Sequence, residues 1–194
     1  IMAAQGFTSS ERVIEAPRGF ANAVSTRHDL GEVLAGLGNK WEMELNTYKP
    51  HACGVVCHPV IDACLQLRGS PPVDPARITG MKLHVHPLAL KLTGIKSPKG
   101  GLESKWSLYH SAAVSIVDGI AGERQYTDEM VFDPRVAALR ERIVAEPDDR
   151  LREDEARVTM TLAGGEVLDC HIPHALGSAR NPMSDQDLEL KFID

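Results

Sequence analysis

The segment from Arg157 to Ile172 constrains the fold of this chain more than any other stretch. Its first arm, residues 157–162, alternates polar and apolar side chains without interruption, which is typical of a β-strand with one buried face. Ala163-Gly164-Gly165 follows, and glycine adopts the positive φ angles that a tight hairpin turn requires. A second extended arm, residues 166–172, then returns alongside the first. We therefore predict an antiparallel β-hairpin here.

Helical periodicity predominates elsewhere. Apolar side chains recur at three- and four-residue steps in the strongest predicted helix, Lys105 to Asp118. Further helices are predicted as short pieces within 8–35, at 59–68, after Thr127, from Pro134 through Ile143, and at 186–192 behind the N-cap Ser184. Strands are predicted at Trp41–Leu45 and Arg77–Pro87, and a loop over 93–103. Because helices and strands mix without regular βαβ alternation, we predict an α+β fold with a small, largely antiparallel sheet packed with helices.

The composition excludes several functions. The 194 residues correspond to about one domain. The chain has 21 Lys and Arg against 27 Asp and Glu, a formal net charge of −6, and proteins that bind nucleic acid or anionic membranes need a basic face instead. No apolar stretch approaches the ~18–20 residues of a membrane span, and no signal peptide is recognisable. We therefore expect a cytoplasmic protein with neither nucleic-acid nor membrane partners.

The four cysteines, Cys53, Cys57, Cys64 and Cys170, admit two interpretations. A metal site would combine Cys53, Cys57 and His58 with Cys170-His171, but this spacing matches no common zinc pattern. Free cysteine is among the most buried residue types, and cytosolic thiols stay reduced. We therefore favour reduced, packed thiols and expect neither a metal ion nor another cofactor.

The densest polar cluster spans residues 46–59, between a predicted strand and a predicted helix. It supplies Lys49, His51 and His58 close together, along with the backbone N–H groups of a helix start. Cations and a helix N-terminus together suit a carboxylate or phosphate ligand. The alternative is an exposed lysine with two incidental histidines.

Three other positions carry a functional and a structural interpretation each. Lys105 in the first turn of its predicted helix opposes the helix dipole, so it either faces an anionic ligand or is simply solvated. His84 and His86 share one strand face, where we favour a polar, solvated surface over a metal-binding pair. His110 lies in mid-helix, either packed in the core or facing a pocket.

Three blocks of sequence, in order along nearly the whole chain, resemble the MmgE/PrpD family. The first block is similar to the family's Lys-Pro…His-Pro-x-Ile-Asp signature and consists of Lys49-Pro50-His51-Ala52-Cys53-Gly54, His58-Pro59 and Ile61-Asp62-Ala63. The second runs from Gly101 to His110 and on through Ala112-Ala113-Val114 and Asp118-Gly119. The third comprises His174-Ala175, Gly177-Ser178, residues 181–185, Leu188 and Lys191-Phe192. The family includes 2-methylcitrate dehydratase, cis-aconitate decarboxylase and iminodisuccinate epimerase.

The resemblance implies a cofactor-independent enzyme that acts on small di- or tricarboxylates. Such enzymes combine a large helical domain with a smaller α+β domain, and the active site lies between the two. Residues 1–175 would form the smaller domain, and residues 176–194 would begin a return segment toward the helical domain, which is absent from this sequence. Family members are commonly dimers, so a homodimer is expected.

The resemblance implies that Lys49 and His58 are catalytic, and we expect His51, Gly54 and Lys105 to bind substrate. Gly54 stands where the decarboxylase branch has a histidine, which favours dehydration or epimerisation. Both reactions begin with removal of a proton α to a carboxylate, and the developing enolate charge needs fixed cations. A lysine and a histidine at a helix start are suited to serve as electrostatic clamp and as acid or base. The alternative is that this chain alone is non-catalytic and requires a helical partner domain.

Overall fold

The computed structural model describes residues 1–193 as parts of two compact units, Ile1–Asn46 and Thr47–Asp194, and Asp194 itself lies outside the described part. The first unit contains two short helices, α1 (Phe20–Val24) and α2 (Leu30–Leu34). Asp29 caps α2, because its carboxylate accepts a hydrogen bond of 2.8 Å from the N–H of Gly31. The short helices predicted around Phe20 and after Asp29 are confirmed, whereas the helix predicted to open at Ser9-Ser10-Glu11 is wrong, because residues 11–15 form turns.

The strand predicted at Trp41–Leu45 is wrong. Glu42–Leu45 forms a 3₁₀ helix, and the apolar side chains of Trp41, Met43 and Leu45 are all exposed. Alternation stabilises a strand only where a neighbouring strand and a core are available, and the described residues of this unit include no other strand. Residues 41–45 therefore have no neighbouring strand to pair with among the described residues of this unit.

The second unit is built around a four-stranded sheet with the strand order β2-β1-β3-β4. Its strands are β1 (Ile78–Val85), β2 (Ile143–Pro147), β3 (Ala156–Leu162) and β4 (Val167–Ile172). The pairs β1–β3 and β3–β4 are antiparallel, whereas β1–β2 is parallel. The sheet is thus mixed but mostly antiparallel, and the predicted α+β class is confirmed.

The predicted hairpin forms β3 and β4. Thr161 pairs with Val167 at its closed end, and Gly164 and Gly165 make the turn with φ angles of 109° and 88°. Every second residue of β3, from Ala156 to Leu162, is buried. This period of two directs one face of the hairpin into the core.

The described residues of this unit also form seven α-helices, one before β1, five between β1 and β2, and one after β4: α3 (His58–Arg68), α4 (Pro87–Thr93), α5 (Gly101–Ser104), α6 (Leu108–Asp118), α7 (Asp128–Phe132), α8 (Pro134–Glu141) and α9 (Asp185–Ile193). Helix α3 packs against α6 on one side and against β3 and β4 on the other. Side chains such as Ile61, Leu83 and Met160 are fully buried at these contacts. The core therefore lies between the sheet and α3, and it fixes the position of the segment that leads into α3.

Two predicted helix boundaries are wrong. The strongest helix begins at Leu108 rather than at Lys105, because the hydroxyl of Ser107 accepts a hydrogen bond from the N–H of His110 and caps the helix there. Helix α8 ends at Glu141, and Ile143 instead begins β2. Strand β2 went unpredicted because a five-residue edge strand carries too short a pattern to separate it from the end of a helix. The predicted loop over 93–103 also contains the first three residues of α5.

The final helix begins as predicted. The hydroxyl of Ser184 accepts a hydrogen bond from the N–H of Asp187, and the Asp187 carboxylate accepts from the N–H and hydroxyl of Ser184. None of the helices formed by residues 1–193 is long and apolar enough to cross a membrane.

Candidate functional site

An open cleft of about 1210 Å³ lies on the second unit, lined by four segments distant in sequence. They are residues 49–54, 105–106 and 120–125, followed by five positions between residues 176 and 191: Leu176, Met183, Asp187, Leu190 and Lys191. The first segment joins the 3₁₀ turn Val55–Cys57 that precedes α3, and the second lies between α5 and α6. The cleft thus lies where several helix ends and loops converge, which is where binding residues usually occur.

Backbone hydrogen bonds hold the cleft segments together. The N–H of Gly54 donates to the carbonyl oxygen of Lys105 at 3.0 Å, and the N–H of Ala52 donates to Ala121 at 3.2 Å. Gly54 also sits close to Thr93, since a Cβ at this position would lie 2.8 Å from the Thr93 Cγ2. The segment that carries Lys49 and His51 is therefore fixed by contacts rather than left as a free loop.

Four of the five predicted site residues line this cleft together: Lys49, His51, Gly54 and Lys105. The fifth, His58, does not. It begins α3, is only 1 % exposed, and borders a separate cavity of about 330 Å³ together with Ser178. Its buried Nε2 has no hydrogen-bond partner among residues 1–193.

His51 has the most defined polar environment in the cleft. Its Nε2 lies 3.2 Å from Oδ1 of Asp62, and the other oxygen of Asp62 accepts a hydrogen bond of 2.7 Å from the N–H of Leu176. The ring of His58 meets the ring of His51 edge to face, with centroids 5.2 Å apart. Because Nε2 of His51 is engaged by Asp62, Nδ1 is the ring nitrogen available to a ligand. Asp62 belongs to the signature quoted above, but the sequence interpretation gave it no role.

The cleft carries more positive than negative charge although the whole chain is acidic. Lys49, Lys105, Arg124 and Lys191 line it, against Glu123 and Asp187. Asp187 is engaged in capping α9, and the hydrogen bond from Ser184 holds the pKa of its carboxyl below the usual range. The Nζ atom of Lys191 donates to the backbone carbonyl oxygen of Lys49.

Arg124 and Lys191 were missed by the sequence interpretation. Lys191 was quoted only as part of the family pattern, and Arg124 lies in a short 3₁₀ segment, Glu123–Tyr126, that has no recognisable motif. Both side chains line the same cleft as Lys49 because of the tertiary fold, and not because of any local sequence pattern.

The structure also shows the surroundings of the other histidines and of the cysteines singled out from the sequence. His110 is a packed core residue, since its Nε2 donates to the carbonyl oxygen of Gln125 at 2.7 Å and Arg140 lies 3.4 Å from its Nδ1. Burial lowers the pKa of His110. His84 lies within 3.7 Å of Glu146, and His86 caps α4. The cysteines are free, and residues 1–193 contain no group of three potential metal ligands.

The fold and the cleft together define an α+β domain with one open, cation-lined face. The chain belongs to the MmgE/PrpD family, because the family model described as MmgE/PrpD C-terminal domain matches residues 51–194. Members of this family are generally enzymes. A comparison with curated proteins gave no match.

Proposed function

We propose that this domain supplies one wall of the active site of a lyase or isomerase that acts on a small di- or tricarboxylate. The observation that carries the proposal is the gathering of Lys49, Lys105, Arg124 and Lys191 around the His51–Asp62 pair. Fixed cations attract carboxylates, and they also stabilise the enolate that forms when a proton α to a carboxylate is removed. Family membership supports the same class of reaction.

In the proposed mechanism the lysines and Arg124 hold the substrate carboxylates, and Lys49 is the clamp nearest the reacting carbon. His51 presents Nδ1 to the substrate as general acid or base, because Asp62 contacts Nε2 and orients the ring. His58 is buried behind His51, so we assign it to positioning that ring, and its predicted catalytic role then operates through His51. After proton removal the enolate either expels a β-hydroxyl, which is dehydration, or is reprotonated on the opposite face, which is epimerisation.

Gly54 favours these two outcomes over decarboxylation. The decarboxylase branch of the family has a histidine at this position, and here a side chain would press against Thr93 at 2.8 Å. The cleft therefore has no imidazole there to assist loss of carbon dioxide.

We further propose that turnover requires a helical domain that covers the cleft. Apolar side chains at its edge are half exposed, namely Trp106 at 50 %, Ile120 at 51 % and Leu190 at 55 %. Apolar surface of this kind is buried when a second domain packs on it. The alternative is that this chain is non-catalytic on its own and only completes the structure of a helical partner domain. Supplying the helical domain separately and measuring turnover with and without this chain distinguishes the two.

The decisive experiment compares Lys49→Ala with Lys99→Ala in the protein assembled with its helical domain. Lys99 is an exposed lysine outside the cleft, so it controls for loss of a charge alone. The substrates are 2-methylcitrate, citrate, cis-aconitate and iminodisuccinate, followed in D₂O by NMR for elimination or deuterium exchange. We expect Lys49→Ala to lower turnover by about 10²-fold or more and Lys99→Ala to leave it unchanged. Equal rates for both variants on every accepted substrate contradict the proposal.

A further inference from the structure

Arg124 is an exposed cation of the cleft that depends entirely on its backbone for its position. No hydrogen bond or ion pair joins its guanidinium to any of residues 1–193, so the side chain is available to a ligand. Its backbone belongs to the 3₁₀ segment Glu123–Tyr126, which has only four residues. Such segments have poor hydrogen-bond geometry of their own. Contacts with the rest of the fold must therefore hold this one in place.

Helix α6 anchors the end of this segment from the core side. Nε2 of His110 donates a 2.7 Å hydrogen bond to the carbonyl oxygen of Gln125, and the hydroxyl of Tyr126 donates to Oγ of Ser111 at 3.1 Å. His110 and Ser111 are completely buried, and Tyr126 is nearly so. Because buried hydrogen bonds are costly to leave unmade, these two fix the backbone directly after Arg124.

The side chain of Gln125 closes the segment around Arg124. Its amide oxygen accepts a hydrogen bond of 3.2 Å from the N–H of Gly122, two residues before Arg124. The amide nitrogen therefore faces the other way, and it donates to Oδ2 of Asp118 at 3.1 Å. One side chain thus joins both ends of the turn that carries Arg124 to the last residue of α6.

Asp118 occupies an unfavourable position for α6 itself. It is the C-terminal residue of this helix, where a negative charge opposes the helix dipole. Asp118 is not among the residues that line the cleft, so a ligand there does not explain the carboxylate. The hydrogen bond with Gln125 does explain it.

We propose that Asp118 and Gln125 are positioning residues that hold Arg124 where its guanidinium meets one carboxylate of the substrate. This inference rests on the proposed function, because the substrate is the polycarboxylate proposed there. Arg124 touches the substrate, whereas Asp118 acts only through Gln125. Since Lys49 is the clamp nearest the reacting carbon, Arg124 holds its carboxylate equally in the ground state and the transition state. Its loss should then raise KM and leave kcat unchanged.

The kinetic experiment uses the protein assembled with its helical domain and the four polycarboxylates named above. We expect Asp118→Ala and Gln125→Ala each to raise KM about 10-fold and to change kcat by less than about 2-fold. Removing a negative charge beside a cation-lined cleft would by itself lower KM for an anion, so the expected change has the opposite sign. Asp118→Asn keeps an oxygen that accepts from Gln125 and should resemble the parent. Asp149→Ala, which removes an exposed carboxylate outside the cleft, is the control.

A double-mutant cycle separates positioning from a general loss of structure. Arg124→Gln should raise KM at least as much as Asp118→Ala, and adding Asp118→Ala to it should raise KM no further. Additive increases overturn the proposal, because Asp118 would then act independently of Arg124. A rise in KM for Gln125→Ala but not for Asp118→Ala also overturns it, since Gln125 would then contact the substrate directly.

Hydrogen exchange tests the same contact without turnover. In the chain alone, Asp118→Ala should make the amides of residues 122–126 exchange at least ~10-fold faster, while those of the β3–β4 hairpin stay as slow as in the parent. Peptide mass spectrometry gives both rates, and circular dichroism checks that the variant folds. Unchanged exchange at residues 122–126 overturns the proposal. If the assembled parent converted none of the four polycarboxylates, the proposed function would fail, whereas the exchange result would still decide whether Asp118 and Gln125 hold the segment.

Discussion

The Nε2 atom of His51 lies 3.2 Å from Oδ1 of Asp62, and this contact links the cleft to helix α3. Asp62 is also bonded to the backbone of Leu176, so one carboxylate connects the first and third blocks of the family pattern. Both side chains are largely buried, at 11 % and 13 % exposed. Because the surroundings exclude most water, the carboxylate orients the imidazole more firmly than a surface pair would.

Replacing Asp62 by Asn tests whether this contact serves catalysis or only folding. The amide oxygen still accepts a hydrogen bond from Leu176, but the carboxylate charge beside Nε2 of His51 is lost. We expect turnover of the assembled enzyme to fall at least ~10-fold, as part of the ~10²–10⁴-fold that general acid–base catalysis contributes. The pH–rate profile should change as well, while the midpoint of thermal unfolding stays close to that of the parent.

The control is Asp74→Asn, which changes an exposed carboxylate that caps a 3₁₀ turn and does not line the cleft. It should retain full turnover. A loss of stability in Asp62→Asn with an unchanged pH profile would assign Asp62 to folding alone.

Gly177 fixes the position of the segment that carries Lys49. Its φ angle is +81°, and a Cβ there would fall on the carbonyl oxygen of Tyr48 and 2.7 Å from Cδ of Pro50. We expect Gly177→Ala to lower the free energy of unfolding by about 2–4 kcal/mol, since a left-handed backbone costs a residue with a side chain about 1–2 kcal/mol before any clash is counted. Turnover should fall because residues 48–50 are displaced.

Gly165→Ala is the matched control for this substitution. Gly165 has a similar φ of +88°, but open space surrounds the position of its Cβ. Gly165→Ala should therefore lower the free energy of unfolding only by the cost of the left-handed backbone, about 1–2 kcal/mol. Urea unfolding of both variants measures the difference, and equal losses would mean that close packing at Gly177 contributes nothing.

The structure also shows which parts of the molecule could be predicted from the sequence. The β3–β4 hairpin, α3 and the Ser184 cap were predicted because each depends on local periodicity or on side chains a few residues apart. Strand β2 depends on a parallel partner far away in sequence, which no local pattern reveals. The alternation at Trp41–Leu45 was misleading for the converse reason, since no partner exists for it among the described residues.

The same distinction applies to the site. Lys49, His51, Gly54 and Lys105 were found through sequence blocks and do line one cleft. Arg124 reaches it only through packing, and a sequence pattern cannot separate His51, which lines the cleft, from His58, which does not. The two histidines are distinguished by the direction in which α3 enters the core, which is a tertiary property.

Asp133 makes part of the stability of α8 dependent on pH. Its carboxylate caps the helix by accepting a 2.8 Å hydrogen bond from the N–H of Arg135, and it pairs with the Arg135 guanidinium. The hydrogen bond from the Arg135 side chain is the largest cause that holds the pKa of Asp133 below its usual range. A lowered carboxyl pKa in the folded state means that the contribution is present above the unfolded pKa of about 3.9 and is lost as pH falls through the lower folded pKa.

We therefore expect Asp133→Ala to cost about 1 kcal/mol at neutral pH, and the difference from the parent to shrink steadily below pH ~4. Asp133→Asn is the control, because an amide oxygen caps the helix without titrating. Chemical denaturation at a series of pH values measures both. A difference between Ala and parent that stays constant down to the lowest pH would rule out the ionised cap as its source.

The pH dependence of alkylation separates Cys53 from an ordinary thiol. The side chains of Cys57 and His58 favour the thiolate of Cys53 and lower its pKa to about 4, despite burial. Because the thiolate is the reacting form, the rate of iodoacetamide labelling at Cys53 should be nearly independent of pH from about 6 to 9. Labelling at Cys170, whose pKa is raised, should instead still be increasing at the top of that range. Peptide mass spectrometry after short exposures gives both rates from one sample.

In Cys57→Ser the stronger hydroxyl donor replaces the thiol, so the flat profile should persist, whereas Cys57→Ala removes the donor and should make labelling at Cys53 rise with pH. A parent profile that rises tenfold per pH unit across this range would show that Cys53 is protonated there and contradict the lowered pKa.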